Sequence, residues 1–428
     1  MFKKLKFKWQ FLLFTGIAAL FCIIALLTNI FDHPTFSNSL LFFDRSDTFM
    51  DFFNTLFDST QPRPYDKGTI YPAFCYLIYE LMASFVSPSE LSYGGFSIRI
   101  SQEGMMIFAV YTAITCTALF MLLFSMKSGS KAEKLIFLFF VFFSAPFLYL
   151  LERGNIIVVS FIFILLFFAL YGSDSAKLRE ISYLCLAASV CIKIYPVIFG
   201  LIILFDKRYR DAVRCIIYGI IMFVIPFAFY GGFSSIIQMV NNVFDESSLV
   251  FNSFGYGYLV GYKAITVIMV SLLLNMTVRV TAFSVIATYL ISALCIASAF
   301  FIRDRWKKVL ALTVVVCGFP DFSYEYALIF MFLPILLFLN EDLERNPKNI
   351  LYTILMVMCT VYIPYYLVDA LYWINGADMR PIVLYCFING VALLLLSLLV
   401  IYDGARSAVN FFKTRKAAGE DEISELSA

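Results

Sequence analysis

Apolar runs of about 20 residues recur from one end of the chain to the other, a length that matches a lipid bilayer. In lipid, such a run satisfies its own backbone N–H and C=O groups only as a helix. Of the 428 residues, 61% are apolar and only 14% charged, against about 25% charged in an ordinary soluble domain. No water-soluble core absorbs that excess. Thirty-two Lys and Arg stand against 30 Asp and Glu, so no acidic or basic bias points to nucleic acid or to a solvating tail. A soluble enzyme, a disulfide-built secreted scaffold and a disordered chain are all excluded. What remains is an all-α, polytopic integral membrane protein.

The predicted spans are 11–30, 104–126, 135–151, 156–172, 215–231, 281–302, 309–319, 325–340, 350–369 and 382–402. The segment 181–206 is too long for one span and carries Lys193-Ile194-Tyr195-Pro196 in its middle. Basic residues flank both of its ends, so the positive-inside rule puts both in the cytoplasm. The chain must enter and return, with a break near Pro196, which lacks an N–H and disfavours helical geometry before it. This gives about 12 crossing or dipping elements. Both termini then fall in the cytoplasm of a plasma-membrane protein, and 23 of the 32 Lys and Arg lie in the cytoplasmic segments.

Two loops on the outer side, 31–103 and 232–280, are longer than connectors need to be, and long loops in compact folds are usually functional. The first holds an amphipathic run, Ile70 to Val86, expected along the membrane surface; in the second, Leu259 to Met276 is read as interfacial. Residues 1–412 form one membrane domain, and 413–428 read as a disordered cytoplasmic tail. The ten cysteines are scattered inside apolar runs without a Cys-x-x-Cys pair, and His33 is the sole histidine. Neither a His-based zinc site nor a Ser-His-Asp triad can be assembled.

Four places could carry chemistry. Asp44, Asp47 and Asp51 lie among Phe and Met directly after the first span, where a carboxylate could act as general base on a hydroxyl; the plainer reading is a set of solvated loop acids. Arg153-Gly154-Asn155 precedes an apolar helix. A cation, a close backbone approach and free N–H donors there would make an anion site, and an interfacial arginine paired with Glu152 is the equal alternative. Lys193, flanked by Val190, Ile192, Ile194 and Val197, is costly at membrane depth unless an anion meets it. Asp321 and Glu325 sit with Tyr324 and Tyr326 between two apolar runs; the tyrosines fit an interfacial belt, but the acids do not.

The order of these pieces resembles glycosyltransferase family 87, integral membrane enzymes of the GT-C superfamily that include polyprenyl-phosphate-mannose-dependent mannosyltransferases. The resemblance runs through the acidic first outer loop, Pro64-Tyr65-Asp66, Ile70-Tyr71-Pro72, Arg153-Gly154-Asn155, Lys193-Ile194-Tyr195-Pro196, Asn252-Ser253 and Phe319-Pro320 through Tyr326. It implies a GT-C-type helical fold and a first-loop aspartate as catalytic base, best matched by Asp47, then Asp51, then Asp44. It also implies a donor-phosphate site from Arg153, Gly154, Asn155 and Lys193, with Tyr65, Tyr71, Tyr195, Asn252, Ser323, Glu325 and Tyr326 as substrate-binding residues. The sequence departs from the family pattern where Tyr326 stands for a histidine, so mannose specificity is not carried over.

Together these readings predict a membrane glycosyltransferase on the extracytoplasmic face. It would move one hexose or pentose from a polyprenyl-phosphate-linked sugar donor to a lipid- or glycan-linked acceptor, with inversion. No cofactor is required, although Asp44, Asp47 and Asp51 could hold Mg2+ through waters. The alternatives are a transporter or flippase for a lipid-linked saccharide, and a ligase or polymerase of the same superfamily. Transporters usually show internal repeats and midplane sites, and neither is legible here.

Overall fold

The computed structural model describes residues 7–31, 46–253, 256–274, 281–362, 372–375, 378–381 and 384–426. It is built almost wholly of helices. The first is α1 (Trp9–Phe31), and the outer segment after it begins with a turn at 46–49 that leads into α2 (Met50–Ser59) and α3 (Ala73–Ala83). Next come α4 (Gln102–Met126), α5 (Lys131–Phe142), α6 (Ala145–Arg153), α7 (Ile157–Leu170) and α8 (Ala176–Ile192). A 3₁₀ turn, Tyr195–Gly200, feeds α9 (Leu201–Phe205), followed by α10 (Tyr209–Val224), α11 (Ser234–Ser253), α12 (Tyr262–Leu274), α13 (Thr281–Phe301) and α14 (Arg305–Gly318). The 3₁₀ segment Glu325–Met331 runs into α15 (Phe332–Asn340), α16 (Pro347–Met358) and, after a two-stranded hairpin of β1 (Tyr372–Asn375) and β2 (Asp378–Pro381), α17 (Leu384–Leu426).

Among the described residues, five helices are long and apolar enough to cross a membrane: Trp9–Thr28, Gln102–Met126, Tyr209–Phe229, Ala282–Phe301 and Leu384–Thr414. Shorter apolar helices, among them Ile157–Leu170 and Glu325–Asn340, stand beside these, against an expected count of about 12 crossing or dipping elements. The predicted span 135–151 is a pair of helices, α5 and α6, bent by 52°. The cause is local: Ser144 accepts the N–H of Phe147 at 3.3 Å and Pro146 follows in the first turn, so a new helix starts where the old one would have continued. The predicted spans 156–172, 309–319 and 325–340 are shorter helices, and most residues of α7, α14 and α15 are buried; of the predicted span 350–369, residues 363–369 lie outside the described residues. A helix surrounded by protein need not match the bilayer thickness.

The segment 181–206 breaks where the sequence analysis places the break. Helix α8 ends at Ile192, Lys193 is extended, and Pro196 opens the 3₁₀ turn. Of the stretch Leu259 to Met276, Tyr262–Leu274 forms α12, which packs on α13 and α17 with Ala264, Ile265, Val267 and Ile268 buried, and residues 275–276 lie outside the described residues. The last helix, α17, runs to Leu426 and so takes in most of the stretch 413–428.

Polar contacts sort the helix ends into two opposite layers. In one, Lys8 donates to the carbonyls of Asn340 and Glu341, Asn340 donates to Met126 O, and the buried Asp403 of α17 binds Lys348, Lys307 and the Tyr352 hydroxyl. In the other lie the turn before α2, the end of α6, Lys193 and the segment after α14. Between the layers, α7 and α8 are joined by Ser160 and Ser189, whose hydroxyls meet at 2.7 Å, the small-residue and hydroxyl contact on which helix packing in lipid depends.

Close helix approach at α13 and α17 rests on Gly404, where an added Cβ would lie 2.2 Å from Ser298 Cβ. Gly404→Ala is expected to cost about 1–3 kcal/mol through overpacking, seen as a lower melting temperature of the detergent-solubilised protein. Gly172→Ala, with open space around its Cβ position, should melt like the wild type.

Candidate active site

The site is organised by how α6 stops. The N–H of Gly154 returns to Leu151 O and that of Asn155 to Leu150 O, both at 3.1 Å, the paired closure of a helix that ends on a left-handed residue. Gly154 has φ 66°, and a Cβ there would come 2.9 Å from Phe52 Cβ and 3.1 Å from the Phe108 ring. Only glycine meets both demands. Asn155 then starts α7, its Oδ1 accepting the N–H of Ile157 at 3.0 Å while Nδ2 points the other way. Arg153 is therefore the last residue of one helix and Asn155 the first cap of the next. Of the N–H donors expected here, those of Gly154, Asn155 and Ile157 are engaged.

Those side chains converge on the first outer loop. Arg153 Nη1 binds Asp47 and Nη2 binds Asp51 at 2.5 Å, so one guanidinium bridges the two carboxylates in the forked manner that arginine favours. Asn155 Nδ2 donates to the second Asp51 oxygen at 2.7 Å and lies 3.3 Å from the Tyr71 hydroxyl. Lys193 holds its ammonium 4.2 Å from the centre of the Tyr71 ring, a cation–π contact. Both Asp51 oxygens are thus engaged, whereas Asp47 is bound through Oδ2 and is the more exposed, at 43% against 18%. Burial pushes the Asp51 carboxyl up to about 6, while the Asn155 hydrogen bond and the Lys193 charge pull it down.

The turn that presents Asp47 is held from outside the predicted set. Phe49 has φ 64°, unusual for a side chain of that size. Its N–H donates to Glu152 O at 2.7 Å, and the Thr48 hydroxyl reaches the buried Glu152 carboxylate at 3.3 Å. Arg99 donates to the carbonyls of Ser46 and Thr48 at 2.9 and 3.0 Å. Sequence reasoning missed Arg99 because it lies 50 residues along, and treated Glu152 only as a partner for Arg153.

Other predicted residues separate. Tyr65 is fully buried, stacked on Phe227, with its hydroxyl on Tyr71 O at 2.9 Å, so it supports Tyr71 from behind and has no surface for a substrate. Ser323 is buried and donates to Cys317 O, and the buried Glu325 accepts from Asn389 of α17 at 3.2 Å. Tyr195 packs on Phe330, and Tyr326 is half-buried beside Tyr149. Asn252 lies in α11 with its side chain outside the described set, and Asp44 lies outside the described residues.

A family model, glycosyltransferase family 87, matches residues 101–319, just over half of the chain. The chain belongs to glycosyltransferase family 87. No curated protein and no solved structure matches it significantly. The family 87 match takes in Arg153, Gly154, Asn155 and Lys193, and the acidic turn lies before it. The contacts between them join this outer turn to the family region. With its apolar helices, the protein is a membrane glycosyltransferase, so the acid and cation cluster can be weighed against sugar transfer.

If Arg99 acts by holding the turn, Arg99→Ala should lower kcat about tenfold or more, since small displacements of a reacting group are costly, with KM within about twofold. Arg99→Lys should recover part of the loss. A parallel change in KM, or no recovery, would speak for a merely structural role.

Proposed function

We propose that this family 87 enzyme transfers a single sugar from a polyprenyl-phosphate donor to a lipid- or glycan-linked acceptor at the extracytoplasmic face. The observation that carries the proposal is the convergence of Asp47, Asp51, Arg153 and Lys193, drawn from three separate segments. A donor of this class keeps its tail in lipid while its phosphate and sugar reach the interface. It therefore requires fixed cations and an acceptor-activating carboxylate at one end of the helix bundle. Charge supports the orientation: 23 of the 32 Lys and Arg lie in the segments read from the sequence as cytoplasmic, and the site residues lie outside those segments.

In the reaction, the acceptor oxygen forms a bond to the anomeric carbon as the bond from that carbon to the phosphate oxygen breaks. The hydroxyl proton passes to Asp47, whose Oδ1 is not engaged by Arg153, and polyprenyl phosphate leaves with the bonding electron pair. Single displacement from opposite faces inverts the anomeric configuration. Lys193 makes no ion pair among the described residues, so its ammonium has N–H donors for the leaving phosphate, in a setting where fixed charge stabilises a transition state far better than water does. Asp51 holds Arg153 and Asn155 in register and lets the guanidinium share its charge between carboxylate and phosphate. Family membership favours this reading over a transporter or flippase.

Asp47→Asn in nanodiscs should lower turnover about 10²- to 10⁴-fold, the range for loss of a general base, while donor binding is kept. Full activity in that variant would remove Asp47 from the base role. Turnover should also fall on the acid side with an apparent pKa near 6, because protonation of Asp51 removes the charge that holds Arg153. Asp51→Asn should flatten that limb of the pH profile.

A further inference from the structure

Beside the charged cluster stands a group of tyrosines that the mechanism above does not use. Tyr149 lies four residues before Arg153 on α6 and so shares its side of the helix. Its ring stacks on Tyr326 at 5.8 Å and 13°, and Tyr326 meets Tyr324 at 5.8 Å and 36°. All three are half-buried, none of their hydroxyls has a hydrogen bond among the described residues, and the hydroxyl oxygens are not sealed in the interior. Tyr149 and Tyr326 also lie within reach of the Asp51 charge. An interfacial belt would turn its rings outward to lipid; here the rings cover one another beside the carboxylates.

The wall is also held rigid. Val260 donates to Ser323 O at 2.9 Å, Leu259 forms a bridge with Tyr324, and Lys263 pairs with Asp321 at 3.0 Å. Residues 259–263 thus pin residues 321–324, and α6 packs on Glu325–Met331. Preorganised aromatic faces with unengaged phenol hydroxyls suit a ligand that has an apolar C–H face and a rim of hydroxyls. A sugar ring has both.

We infer that Tyr149 and Tyr326, with Tyr324 at the rim, form a stacking platform for the sugar ring of one of the two substrates. The inference rests on the transferase reading for its place in the reaction, but sugar binding itself can be measured without turnover. In nanodiscs, Tyr149→Leu and Tyr326→Leu should each raise KM about tenfold or more for one substrate, a loss of about 1.4 kcal/mol, and leave the other within about twofold. A rise confined to the polyprenyl-phosphate sugar assigns the platform to the donor; a rise confined to the acceptor assigns it there. Tyr149→Phe, which keeps the ring and removes only the hydroxyl, should raise that KM less than Tyr149→Leu does. Saturation-transfer NMR with a panel of methyl glycosides gives the second measurement: a signal with the wild type that Tyr149→Leu abolishes. The platform is overturned if folded leucine variants keep both KM values and the glycoside signal, or if the wild type gives no glycoside signal at all. A glycoside signal without turnover for any donor would instead overturn the donor class and leave the platform standing.

Discussion

The interaction on which the outer layer depends is the bridge from Arg153 to Asp47 and Asp51. Three charges brought this close to lipid are tolerable only when paired and hydrogen-bonded, because each alone would face a desolvation penalty of several kcal/mol. The bridge therefore fixes the position of the first outer loop against the helix bundle. Two carboxylates share one guanidinium, so the trio keeps a net negative charge, and Lys193 rests nearby on the Tyr71 ring.

Backbone geometry makes that bridge possible. A left-handed glycine ends α6 and turns Arg153 toward the loop, while a left-handed Phe49 turns the loop toward Arg153. The two features face each other, with Gly154 in contact distance of Phe52 and Phe49 donating to Glu152. Unfavourable backbone conformations persist where surrounding contacts over-determine them. Here those contacts come from Arg99, Thr48 and the packing of Phe49 on Phe108.

Much of this was legible before any coordinates. Composition excluded a soluble fold, the charge bias sorted the helix ends, and Lys193 to Pro196 marked a break within an apolar segment that the structure places there. Arg153, Gly154 and Asn155 were recognisable as a unit, though as a helix start and not as a stop followed by a cap. Tyr65, Ser323 and Glu325 read as substrate-facing because they neighbour other motif residues; each is turned inward by a specific hydrogen bond. Sequence neighbourhood does not decide which way a side chain points. The stack of Tyr149 on Tyr326 was invisible for a related reason: its partners are 177 positions apart on elements that meet only through packing.

What the sequence determined by itself was the solvent, since long apolar runs with few charges leave lipid as the one medium in which these helices can be satisfied. It also gathered 23 of the 32 Lys and Arg into the segments read as one side of the membrane and named the unusual ions. Only the tertiary structure decided which carboxylates meet which cation, which helices are short because protein and not lipid surrounds them, and which tyrosines retain accessible hydroxyls. Those outcomes depend on pairings between segments up to 177 residues apart, fixed by the complementarity of two folded surfaces and not by any local preference of the chain.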